Sequence, residues 1–134
     1  MMSSIDNALG ISPQALALRA QRMSLLSANI ANADTPGYKA RDIDFQSALK
    51  AAEASKYSPD SANASHARHI PLSGTGLNQP DVLYRQPAQL SIDGNTVDAS
   101  KEHAVLMENA IPYQASLQLL DNRIKGIRNA IKGE

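Results

Sequence analysis

The 134-residue sequence contains no cysteine and no tryptophan. The first absence excludes disulfides, Cys-based zinc sites and thiol catalysis. Other aromatics are scarce, at one Phe and four Tyr, so there is little material for a bulky core. Neither sign of charge dominates: 13 Lys and Arg balance 13 Asp and Glu. A general nucleic-acid binder or a polybasic membrane binder needs a positive surplus, so neither is expected. No apolar run approaches the ~18 residues of a membrane-spanning helix, and no direct membrane insertion is expected. The opening MMSSIDNALGIS lacks the basic, apolar and cleavage-site parts of a secretion signal, which leaves room for an uncleaved export signal. What the chain has in abundance is alanine, 21 residues of it, which suits closely packed helices.

Composition divides the chain into three regions within one structural domain. Residues 1–54 are rich in Ala and Leu with helical patterning, 55–98 concentrate Pro and Ser, and 99–134 return to helical periodicity. In the first region Ser12 is the expected N-cap and Pro13 the first helical residue, where a missing N–H costs nothing. Leu16, Ala20, Met23, Ser27 and Ile30 then form one face, and Ile11, Leu18 and Leu25 lie roughly opposite. A surface helix needs one apolar stripe; two stripes imply burial from two sides, partly by other molecules. The helix should end between Asn32 and Asp34. Thr35-Pro36-Gly37-Tyr38 follows as a turn, with Pro at its second position and Gly free for positive φ at its third. Alternation of Asp42 and Asp44 with Ile43 and Phe45 predicts a short extended piece, followed by a helix near residues 46–55.

The middle region carries weak strand signals at Val82–Tyr84 and Leu90–Ile92, read as a small hairpin or a few extended segments, with a turn at Asp93-Gly94. Residues 55–79 have little to bury and are expected to stay mobile in the isolated chain. The last region is the most regular. Leu106, Ala110, Tyr113, Leu117, Leu120, Ile124, Ile127 and Ile131 are spaced alternately four and three apart, a coiled-coil seam. Asp98 or Ser100 can cap its start, Glu102 lies in its first turn, and Pro112 should kink it. The fold class expected is mainly α: the first and last helices pair as an antiparallel, coiled-coil-like bundle, and the irregular middle carries short β segments.

Chemical motifs are few. His66 and His69 lie in a Ser/Asn-rich stretch without a third ligand and read as solvated loop histidines. His103 stands alone. Ser47-Ala-Leu-Lys50 matches the S-x-x-K pattern of some acyl-transfer enzymes, but without its companion motifs. Asn63-Ala-Ser65 fits a glycosylation acceptor without a secretory context. Gly74-Thr-Gly76 lacks the third Gly and the strand-turn-helix setting of a nucleotide site. No constellation supports an enzyme, a cofactor or a metal.

A resemblance enters at Ser27-Ala-Asn-Ile-Ala-Asn-Ala-Asp-Thr-Pro-Gly-Tyr-Lys39. This run resembles the signature of flagellar axial proteins, the family of rod, hook and hook-associated subunits. Ala40-Arg-Asp-Ile-Asp-Phe45, Leu90-Ser-Ile-Asp-Gly-Asn-Thr-Val-Asp98, and Asn109 to Leu120 with Tyr113-Gln-Ala-Ser-Leu117 are similar to proximal-rod members. Pro112 departs from that pattern. The resemblance implies a structural subunit of the bacterial flagellar basal body, exported through the flagellar type III apparatus without a cleaved signal. It implies helical assembly in the periplasmic rod, which transmits torque and surrounds the export channel. Implied partners are further copies of the chain, the rod proteins FlgC and FlgF, the adaptor FliE and the MS-ring protein FliF. Under this reading Asn29, Asn32, Thr35, Pro36, Gly37 and Tyr38 form the signature turn. Leu16, Met23, Ile30, Leu117, Leu120, Ile124 and Ile127 would pair the helices within a subunit. Ile11, Leu18, Leu25 and Leu119 would face neighbours. The alternatives are another rod protein, FlgC-like, or a soluble coiled-coil adaptor. An adaptor would be a closed dimer or trimer, whereas a rod subunit makes non-closing, head-to-tail contacts.

Overall fold

Helical periodicity at both ends of the chain becomes two long helices laid against each other. The computed structural model describes residues 4–57, 80–87 and 91–133. In order, the elements are α1 (Ser4–Leu9), α2 (Ser12–Ala31), β1 (Arg41–Ile43), α3 (Phe45–Tyr57), β2 (Val82–Tyr84) and α4 (Ala99–Lys132). His66, His69, Asn63 to Ser65, Gly74, Gly76 and Leu90 lie outside the described residues.

The main packing is α2 against α4. Asn29 meets Glu102, Asn109 meets the Arg19 carbonyl, and Arg123 meets Ser12, so the helices run antiparallel. The 34 residues of α4 extend about 51 Å at ~1.5 Å per residue. Arg123 lies level with the start of α2, because its Nη1 donates to the Leu9 carbonyl at 3.0 Å and to Ser12 Oγ at 3.2 Å. Beyond this level α4 outruns its partner, and Ile131 is 78% exposed.

One helix boundary differs from expectation. Ser12 is the first residue of α2 rather than its N-cap; Ile11 occupies the cap position without a side-chain hydrogen bond. The short α1 precedes it, separated by a turn at Gly10-Ile11. Pro112 does not interrupt α4, which continues as one element through it. Asp98 caps α4 as expected, its carboxylate accepting from Lys101 N at 3.2 Å.

Among the described residues, which exclude Leu90, Val82–Tyr84 does not pair with Ser91 and Ile92. Instead β2 pairs antiparallel with β1, placing Tyr84 opposite Arg41 and Val82 opposite Ile43. The physical reason is burial: β1 carries Ile43, which is inside, whereas Ile92 is fully exposed and offers nothing to pack on. Ser91 to Gly94 form the turn expected at Asp93-Gly94, closed by Gly94 N donating to the Ser91 carbonyl at 3.1 Å.

The inward face of α2 also needs correction. Leu18 and Leu26 are buried, together with Asn29. Thus Leu18, expected to face a neighbour, lies in the core of its own subunit. Leu16, Met23 and Ile30, expected to pair the helices, are half-buried at the side. The misreading has a clear cause: the inward stripe is partly polar, and apolar periodicity alone discounts Arg22 and Asn29. Besides Leu18 and Leu26, the buried apolar residues are Ala40 and Ile43, and the buried polar ones are Asn29, Asn95, Glu102 and Asn109.

Candidate assembly site

Three of the four stretches that carry the family resemblance, residues 27–39, 40–45 and 91–98, meet in space. At the end of α2, the Asn32 side chain donates to the Ala28 carbonyl at 2.8 Å, competing with helix continuation. The chain then turns at Thr35–Tyr38, closed by Tyr38 N donating to the Thr35 carbonyl at 3.3 Å. Gly37 has φ +73°, a left-handed conformation that glycine alone adopts freely. Its N–H donates to the Asp93 carbonyl at 2.9 Å, so the signature turn packs directly on the Asp93-Gly94-Asn95 turn.

Asn95 is the clasp between these turns. Its buried Nδ2 donates to the carbonyls of Asn32 (3.1 Å), Ala33 (2.7 Å) and Thr35 (2.9 Å). These carbonyls follow the C-terminus of α2, where helix geometry supplies no partner. Its Oδ1 accepts from Val97 N at 2.8 Å. Thr96 extends the contact: its N–H donates to the Tyr38 carbonyl at 3.0 Å, and its Oγ1 accepts from Ala40 N at 2.8 Å.

Asn29 links the helices to the sheet. Its Nδ2 donates to the Arg41 carbonyl at 2.8 Å and to Glu102 Oε2 at 3.0 Å. Its Oδ1 accepts from Arg41 N at 3.0 Å. The carboxamide thus serves one residue of β1 as a neighbouring strand would.

Four charged side chains surround this point. Arg22 holds Asp42 with two bonds, Nε to Oδ1 at 2.8 Å and Nη2 to Oδ2 at 3.0 Å, the fork geometry that strengthens arginine–carboxylate pairs. Arg85 binds Asp42 as well, and its Nη1 donates to Glu102 Oε1 at 2.6 Å. Burial pushes the Asp42 carboxyl up, but hydrogen bonds from Arg22, Arg85 and Ile43 N–H hold it below the ordinary carboxylate range. Hydrogen bonding to Asp42 in turn raises Arg22. Two positive and two negative groups leave the cluster balanced, which lets Glu102 be buried without an uncompensated charge. Glu102 therefore does more than favour the helix dipole.

Arg85, Glu102 and Asn95 were not singled out as site residues from sequence. The signal available for Asn95 was its place in the Asp93-to-Asp98 run. Arg85 had no local signal, since its partners lie on β1 and α4.

Outward-facing apolar residues gather on α4. Leu119 is 64% exposed, as expected of a residue facing a neighbour, and Met107 and Ile111 are exposed too. Leu117 and Ile124, expected inside the pairing seam, are each 48% exposed, while Leu120 and Ile127 are half-buried. Ile11 and Leu25 are half-buried as well.

Ser47 and Lys50 do not form a catalytic pair. Ser47 Oγ donates to Asp44 Oδ2 at 2.8 Å, and Asp44 Oδ1 accepts from Gln46 N and Ser47 N, which caps α3. Among the described residues no group of His, Asp and Glu could hold a metal ion, and no helix is long and apolar enough to cross a membrane.

The signature turn, the Asp-Gly-Asn turn and the paired helices α2 and α4 thus form one structural junction. A family model described as flagella basal body rod protein matches residues 11–39, from the start of α2 through the signature turn. Over the whole chain, the flagellar basal body rod protein FlgB of Salmonella typhimurium is 43% identical, covering 99% of both chains. FlgB of Yersinia enterocolitica is 45% identical over 98% of both. FlgB of Cereibacter sphaeroides is 44% identical over 99% of this chain and 100% of its own length. The chain belongs to the FlgB family of flagellar basal body rod proteins.

Proposed function

We propose that this chain is a proximal-rod subunit, which assembles helically with copies of itself and with other rod proteins. The observation that carries this reading is the unequal reach of the two long helices. α4 outruns α2 and leaves Ile131 outside, and Leu119 and Ile124 are exposed on the same helix. Covering each such side chain is worth roughly 1.5–3 kcal/mol, a gain that contact with other molecules would supply. Contacts of this kind between different patches of like subunits do not close on themselves, so they extend a tube. Such a tube transmits torque and surrounds the export channel. FlgC, FlgF, the adaptor FliE and the MS-ring protein FliF are the proposed neighbours. The chain is proposed to reach the periplasm through the flagellar export apparatus without a cleaved signal, and to have no catalytic activity.

The test is complementation of a strain lacking the chain. Ile124→Asp and Leu119→Asp place a carboxylate where an apolar contact is expected, at little cost to the free subunit because both sites are exposed. Each should be exported yet fail to enter the rod, so cells do not swim. Lys125→Ala removes only an exposed pair with Asp121, which contributes little, and should swim normally. Normal rods in both Asp variants would refute assembly through α4.

A further inference from the structure

The two edges of the small sheet are treated differently. Arg85 N donates to the Ala40 carbonyl at 2.9 Å, which fixes the alternation of the ladder. Given the register, Asp42 and Leu83 exchange bonds across the sheet, while the N–H and C=O of Arg41, Ile43, Val82 and Tyr84 point outward. On the β1 side three of the four groups are occupied: Asn29 takes both groups of Arg41, and the Asp42 carboxylate accepts from Ile43 N at 2.8 Å. On the β2 side, among the described residues, nothing takes the outward groups of Val82 or Tyr84. The three side chains of β2 are also exposed, Val82 by 40%, Leu83 by 53% and Tyr84 by 69%. An open apolar edge of this kind is a template for a further strand.

The surroundings specify what that strand carries. A cleft of about 570 Å³ lies between α3 and the start of β2, lined by Asp44, Ser47, Ala48, Ala51, Pro80, Asp81 and Leu83. Among the described residues its lining includes two carboxylates and no basic side chain. A side chain of the added strand on the Leu83 face would meet this cleft, and a lysine or arginine there would complement it.

We propose that the outer edge of β2 accepts an extended segment of a neighbouring rod subunit, apolar at alternate positions and carrying a basic residue that enters the α3–β2 cleft. The added segment makes β2 the central strand of three. This inference rests on the rod-subunit reading above.

The ladder geometry supplies a selective test. Val82→Pro and Tyr84→Pro each delete an outward N–H and leave the bonds to β1 in place, whereas Leu83→Pro deletes an inward one. Purified Val82→Pro and Tyr84→Pro chains should melt within a few degrees of the parent, and Leu83→Pro well below it. In the deletion strain the two outward variants should enter the rod poorly, because one lost hydrogen bond of about 1 kcal/mol weakens each contact about fivefold and the loss repeats in every copy. Asp81→Lys should also impair assembly. Independently of folding, a photo-crosslinking residue at position 82 in assembled basal bodies should join to a non-helical segment of an adjacent rod subunit containing Lys or Arg. Full swimming by both outward proline variants, or crosslinks that map to a helix or are absent, would overturn the inference. If the deletion strain itself swims, the rod reading fails and this inference falls with it. If that strain is immotile but the outward variants restore it fully, only the docking strand is wrong.

Discussion

Asn29 on α2 holds Arg41 on β1 by both backbone groups, donating to its carbonyl at 2.8 Å and accepting from its N–H at 3.0 Å. A side chain thereby closes one edge of the sheet and spares Glu102 from isolation. Asn29→Ala would leave the Arg41 groups and Glu102 short of partners in a buried site. The expected loss is roughly 2–4 kcal/mol, read as a lower urea midpoint with an unchanged slope. Asn29→Asp should be worse, since it sets a second carboxylate against Glu102.

Asp42 makes stability depend on pH. Its carboxyl lies below the ordinary range in the folded chain, against about 3.9 when unfolded. The unfolded state therefore binds the proton more readily, and stability from this group is complete above the unfolded value. It is lost as pH falls through the folded one. Asp42→Asn should be less stable at neutral pH and show a shallower acid slope below about pH 4. Asp44 and Asp93, also lowered by hydrogen bonds from Ser47 and Ser91, should leave a residual slope. An acid titration monitored by circular dichroism compares the two; equal slopes would contradict the role given to Asp42.

Asn95→Ala should open the clasp between the turns. The Ala33 carbonyl and the Val97 N–H lose their partner, while the Asn32 and Thr35 carbonyls keep only their bonds from Thr35 N and Tyr38 N, at a cost of about 1–3 kcal/mol. Amide exchange locates the effect: the Gly37 and Thr96 amides should exchange faster, while amides in the centre of α4 should not.

Pro112 lies inside α4 and has no N–H to give the Glu108 carbonyl. Ser116 Oγ donates to the Pro112 carbonyl at 2.7 Å, so the turn is held partly by a side chain. Pro112→Ala restores the missing donor and should raise stability by about 1–3 kcal/mol, seen as a higher melting midpoint.

Apart from the short α1, the elements themselves were readable from the sequence. Periodicity placed α2 and α4, alternation around Ile43 placed β1, and Pro36-Gly37 and Asp93-Gly94 placed their turns. Their mutual arrangement was less readable, because the contacts that set it are polar. Hydropathy ranks Arg22, Asn29 and Glu102 as surface residues, yet together with Asp42 and Arg85 they satisfy one another inside. Opposite charges far apart in sequence carry no period, so nothing local joined Arg85 to Asp42 and Glu102. The pairing of β2 with β1 escaped for a related reason: the nearer apolar pair at Leu90 and Ile92 looked like its partner.

The junction also sets a timetable for folding. Asn29 and Glu102 are 73 positions apart, and Arg123 reaches back 114 positions to Leu9. Contacts of such separation form slowly, because a long loop must be closed before they contribute. A chain arrested before Asn95 has no clasp across the turn that follows α2 and no carboxylate for Asn29. The amino-terminal half cannot latch alone, and the native state is a late event that awaits nearly the whole polypeptide.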